Sequence, residues 1–351
     1  MRLEIQNINK IKEADIALNG LTVIVGENDM GKSTIGRAFF SIIKAVSNMR
    51  SLSNESSANK ASKHIDSLYK HFYGKKIIDG TMDLLPRVKS EMERICQDEA
   101  ERNAFLDHLN AKIEDIDLSP RQKSLLKEDI VNIRICFDQV NNPAAVLKME
   151  LAYLVESEFM GQFCSSKSEL TNVMLDTEEE GKLSFKAKDN QVTNVSFSER
   201  GFYEDITYVE SPLYFHLLDS LKSSVAYREM KRTLGYKPMV PAHVKDFVDK
   251  VLNFQNFDTQ LSLLEPQSKD FHTADIIHGT FAYDKSSRSI VYQKDGMKIK
   301  PINVASGIKS FGALQLLLDG YCISNNRPLI WDEPENHLHP QWQVEFAKVI
   351  V

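Results

Sequence analysis

The sequence predicts an α/β fold: a mixed β-sheet with flanking helices, interrupted by an inserted α-helical lobe. Three observations carry this. A β-branched run, Leu21 to Val25, leads through a glycine-bracketed loop into an amphipathic helix. Residues 48–171 then change character: a polar, loop-like stretch, SLSNESSANKAS, is followed by text that reads mostly as helix. From residue 172 short alternating runs return, and an apolar strand, Leu329-Ile330-Trp331, ends in acids. The implied organisation is a head built from residues 1–47 and 172–351, with residues 48–171 as the helical lobe.

Each element has a local reason. RLEIQNI alternates polar and apolar side chains, ADIAL follows, and LTVIV is a short run that would suit a strand buried on both faces. After the loop, Ile35, Phe39, Ile42, Ile43 and Val46 recur at helical spacing. Helices are expected at 61–73, 83–115, 120–139 and 143–163. Ser119-Pro120 and Asn142-Pro143 serve as starts, and another lies near Pro86. NVMLDT, KLSFKAK and QVTNVSFSE read as strands, as does the apolar part of DITYVESPLYF. A helical region covers roughly 213–265. HGTFAYD, RSIVYQKDG and MKIKPINV then form a meander, turned at Asp295-Gly296. The stretch ASGIKSFGALQLLLDGYCI opens an apolar helix, RPLIWDEPE is a buried parallel strand, and PQWQVEFAKVIV begins a last helix.

Composition narrows the class. With 351 residues, 42% hydrophobic and 26% charged, the chain has ample material for a core and an ordinary globular balance. No run approaches eighteen apolar residues, so no membrane span is expected. The charged N-terminus is no secretory signal, and four scattered cysteines without a CxxC pair read as free thiols. A cytoplasmic location follows as the expectation. The net charge of −6 argues against a dedicated nucleic-acid coat, although Lys222, Arg228, Lys231, Arg232 and Lys237 form a local basic stretch. That stretch reads most simply as a solvated helix face.

The chemistry concentrates in two places. Gly26-Glu27-Asn28-Asp29-Met30-Gly31-Lys32-Ser33, followed by Thr34, fits the phosphate-binding pattern G-x-x-x-x-G-K-[ST]. Glycines let the backbone turn its N–H groups toward phosphate oxygens, and the helix N-terminus adds positive potential. Lys32 can neutralise the β- and γ-phosphates, and the Ser33 hydroxyl can ligate Mg2+. Such a loop needs an acid at the carboxyl end of a neighbouring strand. Asp332 fills that position as the magnesium acid, and Glu333 is the candidate base that orients the attacking water. ATP and Mg2+ are therefore the expected ligands. The crowding of Asp332, Glu333, Glu335, His337 and His339 also leaves open a separate transition-metal site using the two histidines.

The pairing of GENDMGKST with the distant LIWDEPENHLHPQWQ resembles the ABC-type ATPase heads of the RecF, SMC and OLD class. It is most similar to AAA-family ATPases of bacterial anti-phage defence systems, of the Septu or retron-associated kind. The likeness covers about residues 1–47 and 172–351. It implies a P-loop NTPase head whose helices flank a mixed sheet. Val304-Ala305-Ser306-Gly307 stands where such heads carry a signature loop, which caps the nucleotide of a second subunit. Its wording departs from the usual one: Ala305 replaces the first serine, leaving Ser306 and Gly307 for the role. The same Ser-Gly pair would also suit an ordinary helix cap. Asn336 to Pro340 takes the place of a subunit-contact loop. Glu210 and Ser211 stand where a further magnesium-linked residue is expected. The strand that brings a switch histidine in such heads is not reached by Val351, so the head is expected to be incomplete at its C-terminal side.

The resemblance implies an ATP-hydrolysing head that forms a homodimer or higher homo-oligomer around nucleotide and controls an effector, above all a nuclease, in anti-phage defence. Two other readings stay open. The altered signature loop suits a nucleotide-gated scaffold that hydrolyses little and holds a toxin or nuclease inactive. A DNA-repair clamp of RecF or SMC type would bind nucleic acid with strong salt dependence.

Overall fold

A computed structural model describes residues 1–54, 99–115, 143–165, 170–198, 200–216, 240–261, 273–287 and 289–350, with positions 95, 123, 126, 127, 130–134, 137 and 218. The expected helix at 61–73, the starts at Pro86 and Ser119-Pro120, and the basic stretch 222–237 lie outside these residues. The chain divides into two compact units. One comprises Met1–Ser47, Leu151–Lys231 and Lys237–Val351; the other comprises Asn48–Glu150 and Arg232–Tyr236.

The first unit opens with β1 (Arg2–Ile8) and β2 (Ile11–Ala17), an antiparallel pair. They join β3 (Thr171–Asp176), β4 (Lys182–Lys188) and β5 (Gln191–Ser198) in an antiparallel sheet of order β2-β1-β3-β4-β5. Alternation in the sequence determines which face is covered. Leu3 and Ile5 stand opposite Leu175 and Val173, which in turn stand opposite Leu183 and Phe185, and all six are buried. A one-residue slip would turn this whole row to solvent, so the register is strongly specified.

The helix after the phosphate loop, α1, runs Lys32–Asn54. Phe39, Ile42, Ile43 and Val46 are buried, as their spacing predicts, and so is Phe40, while Ile35 is half-buried. The next described helices are α2 (Glu99–Asp115) and α3 (Pro143–Phe159), the latter starting at the expected proline. In the second unit Leu106, Ile113, Leu126, Ile130, Ile133 and Phe137 are buried, with Phe105 and Phe137 edge to face at 6.1 Å.

The strand β6 (Thr207–Val209) is followed by a 3₁₀ turn, Pro212–His216, and then α4 (Ala242–Leu261) and the short α5 (Thr273–Ile277). The meander is present as β7 (Thr280–Asp284), β8 (Ser289–Lys294) and β9 (Met297–Ile299). Lys294 pairs with Met297 across Asp295 and Gly296, whose φ angles of 50° and 77° make the two-residue hairpin turn that Asp-Gly favours. The apolar helix α6 (Ser306–Asp319), strand β10 (Leu329–Trp331) and α7 (Pro340–Ile350) complete the chain. Phe311, Leu314 and Leu317 of α6 lie in one core with Phe247 and Val251 of α4, Phe281 of β7 and Phe346 of α7. Each such fully buried side chain contributes about 1.5–3 kcal/mol.

Two expectations are corrected. The sheet is not a single mixed one among the described residues: β6 and β10 form a two-stranded parallel pair apart from the two antiparallel sheets. LTVIV is neither a strand nor buried, with Val25 84% exposed. Its composition suits a strand, but a strand requires a hydrogen-bonding neighbour. The described strands pair elsewhere. β10, likewise expected to be buried, is half-buried.

Candidate active site

The phosphate loop passes directly into α1, whose first helical residue is Lys32. Gly31 takes φ 92°, a conformation open to glycine at little cost, and Asp29 takes φ 69° while ion-paired with Lys10. The Lys32 ammonium reaches back over its own loop and donates to the carbonyls of Gly26 (2.7 Å) and Glu27 (2.9 Å). Gly26 to Met30 are exposed; Gly31 to Thr34 are half-buried. No acid stands in the first turn of α1 to oppose an anion there.

One close approach brings the two halves of the site together. A Cβ on Gly36 would stand 3.3 Å from Ile330 of β10 and 3.6 Å from the Tyr208 ring of β6. Gly36 lies one turn after Ser33. The helix thus presses against the strand pair whose carboxyl ends carry Glu210 and Asp332. The Asp332 N–H continues the pairing by donating to Val209 O at 2.9 Å. Tyr208 is 1% exposed, and its hydroxyl donates to Asp332 Oδ2 at 2.9 Å. Burial, and then the charge of Asp332, pushes the Tyr208 phenol well above its ordinary pKa. Among the described residues neither Asp332 Oδ1 nor the Ser33 hydroxyl has a protein hydrogen-bond partner. The donor set therefore fits a hydrated Mg2+ beside a phosphate.

Glu333 is exposed with φ 46°, and its carboxylate accepts a hydrogen bond from Asn336. Ser306 is the first residue of α6, and the N-cap is Ala305, which makes no side-chain cap bond. The Ser306 hydroxyl is accordingly not a helix cap. Gly307 is buried against the ring of Trp342 and the carbonyl of His337, which a Cβ would meet at 3.1 and 3.2 Å. The signature-like loop and the loop after β10 are thus neighbours. His337 and His339 are exposed. No group of three or more His, Cys, Asp or Glu among the described residues is placed to hold a metal.

A buried polar network lies behind the site, which sequence reasoning missed except at Glu210. Arg37 of α1 donates to Glu210 Oε1 at 2.5 Å, and the Tyr214 hydroxyl donates to the other oxygen. His243, fully buried, places Nε2 3.1 Å from Glu210 and Nδ1 2.7 Å from Glu158 of α3. Burial opposes charge on His243, but the two carboxylates outweigh it and hold its pKa up at about 9. The hydrogen bond from His243, assisted by Tyr214 and Arg37 and opposed by burial, holds Glu210 down at about 2. Glu210 is thereby committed to this clamp rather than turned to a metal. A second cluster ties α1 to α4: Lys44 meets Asp205 (2.6 Å) and Asp246 (2.5 Å), and Lys250 meets the same acids (2.9 and 2.8 Å). Asp246 and Lys250 are an i,i+4 pair on α4, but no local pattern links them to Lys44 or Asp205.

No curated protein and no solved structure matches the chain. A family model described as an AAA ATPase domain matches residues 1–351. Phosphate loop, strand-end acid and this match agree on a P-loop NTPase α/β fold of the ATPase kind, and the chain belongs to the AAA ATPase domain family.

Proposed function

We propose that this chain is the ATPase head of a nucleotide-driven assembly, in which two heads close on ATP and the closure governs an associated effector. The observation that carries the reading is the contact of Gly36 with Ile330 and Tyr208, which sets the phosphate-loop helix against the strand ending in Asp332. Gly26 to Thr34 would hold the phosphates of the substrate, and Ser33 and Asp332 would hold Mg2+, which supplies charge neutralisation at the phosphoryl group. Lys32 exchanges its loop carbonyls for phosphate oxygens. Glu333 orients the attacking water once it leaves Asn336. Catalysis of this kind is mainly positioning and electrostatics.

Closure in trans is supported by Ser306, whose side chain does no capping, and by its neighbour Gly307, which abuts the 337–342 segment. By resemblance the effector is a nuclease acting in anti-phage defence. The scaffold reading, with little hydrolysis, is favoured by a single observation: Glu333 is exposed and bound to Asn336. Phosphate release by the purified protein separates the two. Glu333→Gln should lower it by about 10²–10⁴-fold. An undetectable wild-type rate that Glu333→Gln leaves unchanged would select the scaffold.

A further inference from the structure

The acid that would hold Mg2+ does not stand alone. Asp332 follows β10, is half-buried, and has one oxygen bonded to the Tyr208 hydroxyl and the other unpartnered among the described residues. Tyr208 itself has little freedom. Its ring packs on His243 (4.7 Å between centroids) and Phe40 (6.3 Å), with Gly36 of α1 against its far end. Its backbone pairs with Ile330 in the parallel ladder, so donor and acceptor ride on adjacent strands two residues apart in register. A carboxylate on a short connecting loop rotates freely unless something fixes it. A hydrogen bond to a charged group is strong enough to do so.

We propose that Tyr208 is a positioning residue for the magnesium-binding carboxylate: its hydroxyl pins Asp332 Oδ2 and so presents Oδ1 toward the Ser33 end of α1. Because Gly36 touches the same ring, the orientation of the acid is tied to the seating of the phosphate-loop helix. Nucleotide and metal halves of the site are then aligned through one phenol. This rests on the ATP-binding reading above.

The test is Tyr208→Phe, which keeps the ring and removes only the hydroxyl. Binding of a fluorescent, non-hydrolysable ATP analogue is followed while Mg2+ is titrated, and again in EDTA. The variant should fold and bind analogue in EDTA as the wild type does. It should require about tenfold more Mg2+ for half-saturation. Phe185→Leu, which loosens the core of the antiparallel sheet and leaves the surroundings of Tyr208 intact, should lower Tm without moving the Mg2+ midpoint. In the Asp332→Asn background, Tyr208→Phe should add nothing further. Coincident Mg2+ titrations of wild type and Tyr208→Phe would overturn the proposal. So would a variant that loses EDTA binding in the same proportion, or fails to fold, since the hydroxyl would then be structural. Wild-type protein that binds the analogue with no response to Mg2+ would instead sink the ATP-site reading itself.

Discussion

Lys32 shows how one side chain can be both stabilised and available. Its ammonium satisfies itself on two carbonyls of its own loop, so bringing in phosphate exchanges neutral acceptors for charged ones. Lys32→Ala should weaken binding of a fluorescent ATP analogue by about ten- to a hundredfold, with Tm little changed because the head group lies at the surface. His243 behaves differently. Buried between Glu158 and Glu210, and backed by Arg37, Tyr208 and Tyr214, it is charged in the folded chain at neutral pH. Its folded pKa of about 9 lies above the ordinary value of 6.5. Its contribution to stability is therefore complete below about pH 6.5 and is lost as pH rises through 9. Thermal melts should show stability falling by roughly 3 kcal/mol across that window, and His243→Gln should flatten the dependence.

At the scale of elements, α1 is held at two points, near its start and at its middle. Near the loop, Gly36 allows a close contact with β6 and β10, where an added Cβ would already stand 3.3 Å from Ile330. Gly36→Val should displace the helix, cost about 1–3 kcal/mol and impair nucleotide binding, measured by chemical denaturation and by analogue titration. Two turns on, Lys44 shares Asp205 and Asp246 with Lys250 of α4. Lys250 and Lys44 outweigh the burial of Asp205 and hold its carboxyl far below the ordinary range. Asp205→Asn leaves two cations facing one acid and should cost roughly 3 kcal/mol in denaturant unfolding. Many of the elements themselves were legible. The alternation of β1 and β3 to β5, the Asp-Gly turn, the proline at the start of α3 and the apolar face of α1 are local patterns, and they appear where the residues predict. LTVIV did not follow, because strand formation depends on a neighbour that no local pattern specifies.

For the whole molecule, the proposed cycle concerns mass as well as chemistry. Glu333→Gln should trap the closed form, so light scattering with ATP and Mg2+ should find twice the mass seen without nucleotide. Ser306→Arg, placing a large cation at the start of α6, should abolish that dimer. Among the described residues no helix is long and apolar enough to cross a membrane. The candidate site residues fall in two short segments, Gly26 to Thr34 and Asp332-Glu333, and stand out in the sequence because phosphate binding imposes a contiguous spacing on a loop. The partners written in many places do not. Tyr208 reaches Asp332 across 124 positions, His243 reaches Glu158 across 85, and Arg37 reaches Glu210 across 173. The sequence by itself determined the phosphate-loop pattern, the candidate acid that follows β10 and the run of local elements, since backbone propensity, hydrophobic period and loop chemistry act between near neighbours. Only the tertiary structure decided which polar groups are buried together and which apolar run is left exposed, because burial and hydrogen-bond partnership depend on distance in space and not on distance along the chain.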